Sequence, residues 1–420
     1  MNPIMTTLRE KNWKTLQIVF LFLMIFLLTI FLVPTPGTGN MDTWVRWAND
    51  ANQMGLVENY HVNHDTYPPL TTVILVGAAK LSQTFGIWIY TSIKLTIVFF
   101  LMASSMLFWG MTRNALLTAA LHLSMLIMSV GLGHLDVFFA PFLIASLWAL
   151  KEDRLVLFSI TFCLAFFTKW QPLIIAPFLA LYVFNISRLR DWKQIKFKRI
   201  LKQVVLPIVL VFAFFFVIFG FQPILTAFTV ASDHHYLSGN ALNINWIITH
   251  FLHVFQPDQY GPLINGQATL IKGPPETVKL YPKLLFFLVY LITLVVFFLR
   301  HKTYENLLLF SLLGYWAYFT LNTGVHENHL FIGMILAIML AWQNRNHLVT
   351  MLMVIMIENI NLIVFNGLDG VENEFSRVVS GVDTALLIAV FNVLAFAIYW
   401  VYYTFLQPRE NVNSATLPGR

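Results

Sequence analysis

The stretch from 171 to 220, QPLIIAPFLALYVFNISRLRDWKQIKFKRILKQVVLPIVLVFAFFFVIFG, decides the fold. Two apolar runs, 171 to 186 and 204 to 221, flank a segment from Ser187 to Gln203. That segment carries Arg188, Arg190, Lys193, Lys196, Lys198, Arg199 and Lys202 against the lone Asp191. In hydrocarbon every backbone N–H must be satisfied internally, so runs of this kind cross as helices. Short loops rich in Lys and Arg stay cytoplasmic, which puts 187 to 203 inside. Composition extends this reading to the whole chain. Of 420 residues 58% are hydrophobic and only 11% are charged, against about 25% charged in a soluble domain. So few charges exclude a soluble enzyme and a disordered chain, and the net +6 does not make the chain a nucleic-acid binder. Cys163 is the only cysteine, which excludes a disulfide framework and a cysteine metal site.

Outward from that hairpin, apolar runs recur at about 15 to 33, 87 to 109, 114 to 131, 136 to 150 and 155 to 168 before it, and at about 284 to 299, 305 to 321, 329 to 343, 349 to 366 and 384 to 406 after it. Together they predict an all-α polytopic membrane protein of about 12 transmembrane helices, a single integral membrane domain over 1–420. Several runs are shorter than 18 residues, so their helices are expected to extend into the flanks. The first run follows Arg9, Lys11 and Lys14 but ends in Val33-Pro34-Thr35-Pro36-Gly37, without a small-residue cleavage pattern, and reads as an uncleaved anchor. Lys151, Arg154, Arg300, Lys302, Arg345 and Arg409 join the cytoplasmic side, as do both termini. The outer side receives 34–86, the 131 to 136 turn, the long loop 222–283, the 322 to 328 turn and the acidic 367 to 383 loop. Within 34–86, the apolar stretch 70 to 86 is interrupted by Lys80 and Gln83 and reads as an interfacial or re-entrant helix. The predicted location is the cell membrane, with the active site on its outer face.

Polar residues near hydrocarbon are costly, which makes each one a functional candidate. Asp42 opens a helical stretch with Trp44 and Trp47 on one face; capping that helix is the alternative role. Tyr67-Pro68-Pro69 is a rigid entry to the next apolar stretch. His134 and Asp136 sit in a turn at the outer rim, and Lys169 lies at another rim, where it is also free to snorkel to water. His326, Glu327 and His329 crowd one turn; His329 reads as an ordinary interfacial residue. Lys94, in the outer half of the second run, is a further candidate for facing an anionic ligand and could as easily snorkel outward. Asn240, in Ser238-Gly239-Asn240-Ala241, precedes Trp246 and suits a carbohydrate contact or an interfacial anchor equally. The Pro- and Gly-rich 256 to 282 stretch reads as a lid. His61, His64, Asp65, Asp233, His234 and His235 show no helical ligand spacing, and no metal or cofactor is predicted.

These windows resemble the lipid-linked-sugar glycosyltransferases of the GT-C fold, above all the polyprenyl-phosphate-mannose and related hexosyltransferases. Asp42-Thr43-Trp44 and Tyr67-Pro68-Pro69-Leu70 are similar to the family's first-loop Asp and Tyr-Pro-Pro-Leu elements. Gly133-His134-Leu135-Asp136 looks like a variant of its Gly-Gln-x-Asp turn, Lys169-Trp170-Gln171 with Pro172 and Pro177 like its Lys-x-Gln element, and His326-Glu327-Asn328 like its His-Glu-Lys/Arg turn. Asn328 departs from the family's base at that position. The resemblance implies a GT-C-like fold with interfacial helices in the first outer loop, a polyprenyl-phosphate-sugar donor and a glycan or glycolipid acceptor. It further implies inverting transfer of a hexose, mannose by the closest likeness. Asp42 is the expected general base, because an attacking hydroxyl must lose its proton. Lys169 and His326 are expected on the donor phosphate, a leaving anion that needs fixed positive charge. Trp44, Tyr67, His134, Asp136, Glu327 and Asn240 are expected to contact substrate. The rivals are a secondary transporter, against which the two halves show no similarity, and a lipid-linked-glycan polymerase or ligase, which would call for more arginines in the first loop.

Overall fold

A computed structural model describes residues 3–63, 66–187, 193, 195–232, 235–371 and 377–407, with side chains from residue 15 onward except that of residue 63. The metal candidates His64, Asp65, Asp233 and His234, the loop residues Arg188, Arg190 and Asp191, and Arg409 lie outside the described residues. The described residues are all-α apart from one hairpin of two-residue strands, β1 (Val378–Val379) with β2 (Val382–Asp383). Among the described residues six helical segments are long and apolar enough to cross a membrane: Thr15–Leu32, Ile89–Thr112, Phe197–Phe219, Glu276–Leu299, Arg345–Asn366 and Thr384–Leu406. They mark a multi-pass membrane protein.

The first part of the chain runs α1 (Pro3–Leu32), α2 (Asn40–Met54), α3 (Leu56–Asn63), α4 (Pro69–Phe85), α5 (Ile89–Thr112) and α6 (Ala115–Leu126). Helix α2 is amphipathic, burying Met41, Trp44, Trp47, Ala48 and Ala51 at helical spacing while its opposite face stays open. The ambiguous 70 to 86 stretch is α4, entered through Pro68 in extended backbone and ended by Gly86 in the left-handed region, and it packs on α2, α5 and α8.

Next come α7 (Ala140–Lys151), α8 (Leu155–Thr168), α9 (Ala176–Phe184), the short α10 (Phe197–Ile200), α11 (Leu206–Phe219), α12 (Phe221–Ser232), α13 (Ile244–Phe255) and α14 (Pro257–Tyr260). The last group is α15 (Glu276–Leu299), α16 (Tyr304–Leu321), α17 (Phe331–Gln343), α18 (Leu348–Asn366) and α19 (Thr384–Val401). The expected lengthening of the short runs does not occur for α8, which stops at Thr168, and α7 and α9 are preceded by single 3₁₀ turns, Leu135–Phe138 and Gln171–Ile175. Their brevity goes with burial. Helix α17 has 13 residues and buries 11 of them, from Phe331 to Ala341, and α16 is buried almost throughout. A helix surrounded by protein does not need to match the bilayer thickness, whereas α1, α11 and α15 expose Phe20, Phe31, Val217 and Phe287 as lipid-facing helices do.

The connections gather at two ends. At one, Asp153 pairs with Arg199, Ser187 with Arg300, and Glu305 with Asn344 and His347. At the other, Thr38 N–H donates to Leu132 O, Gly37 N–H to Asp369 O, and Trp170 Nε1–H to Thr66 O. The turns that carry the sequence-predicted site residues all meet at this second end.

Candidate functional site

The 131 to 136 turn is built by a change of helical pitch. Helix α6 widens into a π turn, Ile127–Gly131, which leaves terminal carbonyls in need of donors. Lys94 and Thr35 supply them: Lys94 Nζ donates to Val130 O at 2.5 Å and to Gly131 O and Thr35 Oγ1 at 3.3 Å, and the Thr35 hydroxyl donates to Gly131 O at 2.8 Å. This corrects both readings of Lys94, since its fully buried ammonium neither snorkels outward nor faces a ligand. Gly133 then turns the chain at φ +77°, and a Cβ there would lie 2.4 Å from Met41 Sδ. Trp44 Nε1–H donates to Gly133 O at 3.2 Å, which fixes α2 against the turn.

Beyond that turn Asp136 joins three segments. Its Oδ1 accepts from Lys169 Nζ at 2.6 Å and its Oδ2 from the Asn328 amide at 2.8 Å, all in the interior. Burial works against the Lys169 charge, but Asp136 and Tyr67 outweigh it and hold the ammonium above the ordinary lysine range. The Lys169 Nζ lies 5.3 Å from the Tyr67 ring centre, and Tyr67 packs edge-on against Trp44 and Trp47. The 323 to 329 turn is propped from below. Gly239 and Asn240 bridge to His326, Gly239 O accepts from Glu327 N–H at 3.0 Å, and Asn361 donates to Asn240 O and Glu327 O. A Cβ on Gly239 would lie 2.6 Å from His326 Nδ1, so only glycine lets this segment pass beneath that ring.

These pieces enclose a cavity of about 630 Å³. Trp44, Trp47 and Tyr67 form an aromatic wall; Leu173, Ile174 and Phe228 form an apolar one. Lys169, Lys283, His134, His326, Glu327 and His329 supply its ionisable groups. Glu327 stands between two imidazoles, with Oε1 3.9 Å from His134 Nε2 and Oε2 3.9 Å from His326 Nδ1. Burial raises Glu327 to about 7 and lowers His134 to about 4, so the imidazole is neutral at pH 7.

Of the sequence-predicted residues, Trp44, Tyr67, His134, Lys169, His326 and Glu327 line this one cavity, with Asp136 behind them as the clasp. Asp42 is exposed on the first turn of α2, between the lining residues Asn40 and Thr43 but not itself in the lining. It is not the cap residue, a place taken by Gly39. Asn240 is not in the lining either: its segment supports the 323 to 329 turn, and Asn243 caps α13. His329, which sequence reading set aside, lines the cavity 3.2 Å from both Tyr318 Oη and Gln171 Nε2. Its signal was the spacing of three from His326. The predicted lid is fastened, as Ala268 N–H donates to Asp383 and the His253 ring lies between Gly261 O and Thr269 O. Among the described residues no three His, Cys, Asp or Glu side chains are grouped to hold a metal ion. In comparisons with known proteins, no family model matches the chain and no curated protein matches it.

Proposed function

We propose that this chain is a GT-C-like glycosyltransferase of about twelve spans that moves a hexose, mannose by resemblance, from a polyprenyl-phosphate donor to an acceptor hydroxyl on the outer face of the cell membrane. The observation that carries the reading is the cavity itself, where a buried lysine, imidazoles, an aromatic wall and an apolar wall converge from separate turns and helices of the chain. Aromatic faces suit a sugar ring, and buried cations suit a phosphate leaving group, which departs as an anion without a general acid. Helices α7 and α8, of 12 and 14 residues, reach only about 18–21 Å at 1.5 Å per residue, well short of a ~30 Å hydrocarbon core. Short helices under the site suit a lipid-linked substrate whose phosphate lies at the membrane surface.

In this mechanism the acceptor oxygen attacks the anomeric carbon, its proton passes to Asp42, and the bonding pair of the C–O bond leaves with the lipid phosphate. Asp42 suits a base that receives its acceptor from water, being exposed on the same helical turn as two cavity residues. Lys169, held in place by Asp136, faces the phosphate together with His326. The test is transfer from a radiolabelled polyprenyl-phosphate-hexose by the purified protein. Asp42→Asn is expected to cut the rate by about 10²–10⁴-fold, and a folded variant that transfers at the unmodified rate removes Asp42 from the mechanism.

One feature favours the transporter instead. Glu358 is a carboxylate only 1% exposed within α18, and intramembrane carboxylates often mark ion pathways. Solute uptake into sealed vesicles without any sugar transfer would establish that reading.

A further inference from the structure

Among the described residues Glu327 is the one carboxylate in the cavity lining. Its backbone is fixed on both sides, by Gly239 O and by the Asn361 amide, so the side chain projects from a rigid turn. Both imidazole contacts are 3.9 Å, too long for hydrogen bonds. Among the described residues His134 Nε2, buried and facing this gap, has no hydrogen-bond partner. A buried polar atom of that kind calls for a ligand atom. An oxygen about 2.8 Å from each of two atoms fits between them when they are 3.9 Å apart.

We propose that Glu327 and His134 form the subsite for one hydroxyl of the transferred sugar, the hydroxyl donating to the Glu327 carboxylate and accepting from the Nε2–H of His134. The inference rests on the glycosyl-transfer reading and names the part of the substrate the site recognises: a neutral, hydroxyl-bearing hexose. A hydroxyl satisfies both partners at once because it is donor and acceptor together. The groups facing Glu327 are His134 and Asp136 from the 131 to 136 turn, Lys169 from the end of α8, His326 from its own turn, and Glu358, Asn361 and Asn366 from α18. The bond to an ionised carboxylate is the stronger form. Since burial raises Glu327 to about 7, that form is lost as pH falls through 7, and the donor KM rises there.

The experiment measures kcat and KM for a polyprenyl-phosphate-hexose and its monodeoxy analogues, with unmodified protein, Glu327→Gln and His134→Ala. One deoxy position is expected to cost the unmodified protein about 100-fold or more in kcat/KM, since a site built around a hydroxyl leaves its own groups unpaired without it. Glu327→Gln is expected to lose a similar factor with the parent donor, mainly in KM, to lose little more when the same hydroxyl is removed, and to show a flat KM against pH. His134→Ala carries the same test should Glu327→Gln not fold. Equal tolerance of every deoxy donor by the unmodified protein, losses that multiply at every position, or a preference for amino-sugar donors each overturns the subsite alone. Absence of transfer from every polyprenyl-phosphate donor by the unmodified protein overturns the functional reading with it.

Discussion

Asp136 commits both oxygens to partners from distant parts of the chain, and at 2% exposure water has no means of replacing them. Asp136→Asn leaves the Lys169 ammonium buried without its counter-charge, and an expected loss of about 3–5 kcal/mol should appear in thermal unfolding in detergent. The double variant Asp136→Asn with Lys169→Met should recover part of that loss, because no unpaired charge remains. Glu327 and His134 oppose each other in pH. Glu327 binds its proton more tightly folded than unfolded, so it contributes stability below about pH 4.5 that is lost as pH rises through about 7. His134 resists protonation when folded, so its contribution is present above about pH 6.5 and is lost as pH falls toward 4. Glu327→Gln should therefore melt higher than the unmodified protein at pH 7.5 and lose stability more steeply between pH 6.5 and 4. Sequence patterns pointed to Lys169, His134 and Glu327 because ionisable residues at a rim are rare. They did not reveal that Asn328 completes the Asp136 clasp. With Lys169 already balancing Asp136, a neutral amide fits there.

At the scale of elements, the lipid-facing helices were legible and the central ones only in part. Hydropathy finds a helix such as α15 without knowing its neighbours, but the ends of α7 and α8 depend on turns supplied by other parts of the chain. Lys94 was misjudged for the same reason, as its partners are carbonyls freed by a π turn more than thirty residues away. Lys94→Met should leave the Thr35 hydroxyl alone to serve the Val130 and Gly131 carbonyls and cost about 1–3 kcal/mol. Transfer should fall with it, since the freed turn carries His134 and Asp136, and Lys94→Arg should restore part of both. The Gly239 segment beneath His326 gives a sharper test. Gly239→Ala forces the imidazole aside and is expected to lower transfer far more than thermal stability, measured on the same preparation.

For the whole molecule, the expectation of many apolar helices came from hydropathy, whereas the convergence of separate turns and helices on one cavity lies in tertiary packing alone. Orientation is open to direct measurement. In a Cys163→Ala background, the exposed Asn265→Cys should react with an impermeant maleimide on intact cells, and Glu152→Cys only after permeabilisation. The opposite pattern would invert the protein. The clasp at Asp136 also has a consequence in time. Its bond to Lys169 closes 33 residues of chain and its bond to Asn328 closes 192, so a nascent chain holds the first long before it holds the second. Competence therefore arrives late in synthesis. On the proposed function, a chain stopped after Leu321 should insert and pair Asp136 with Lys169 yet show no transfer.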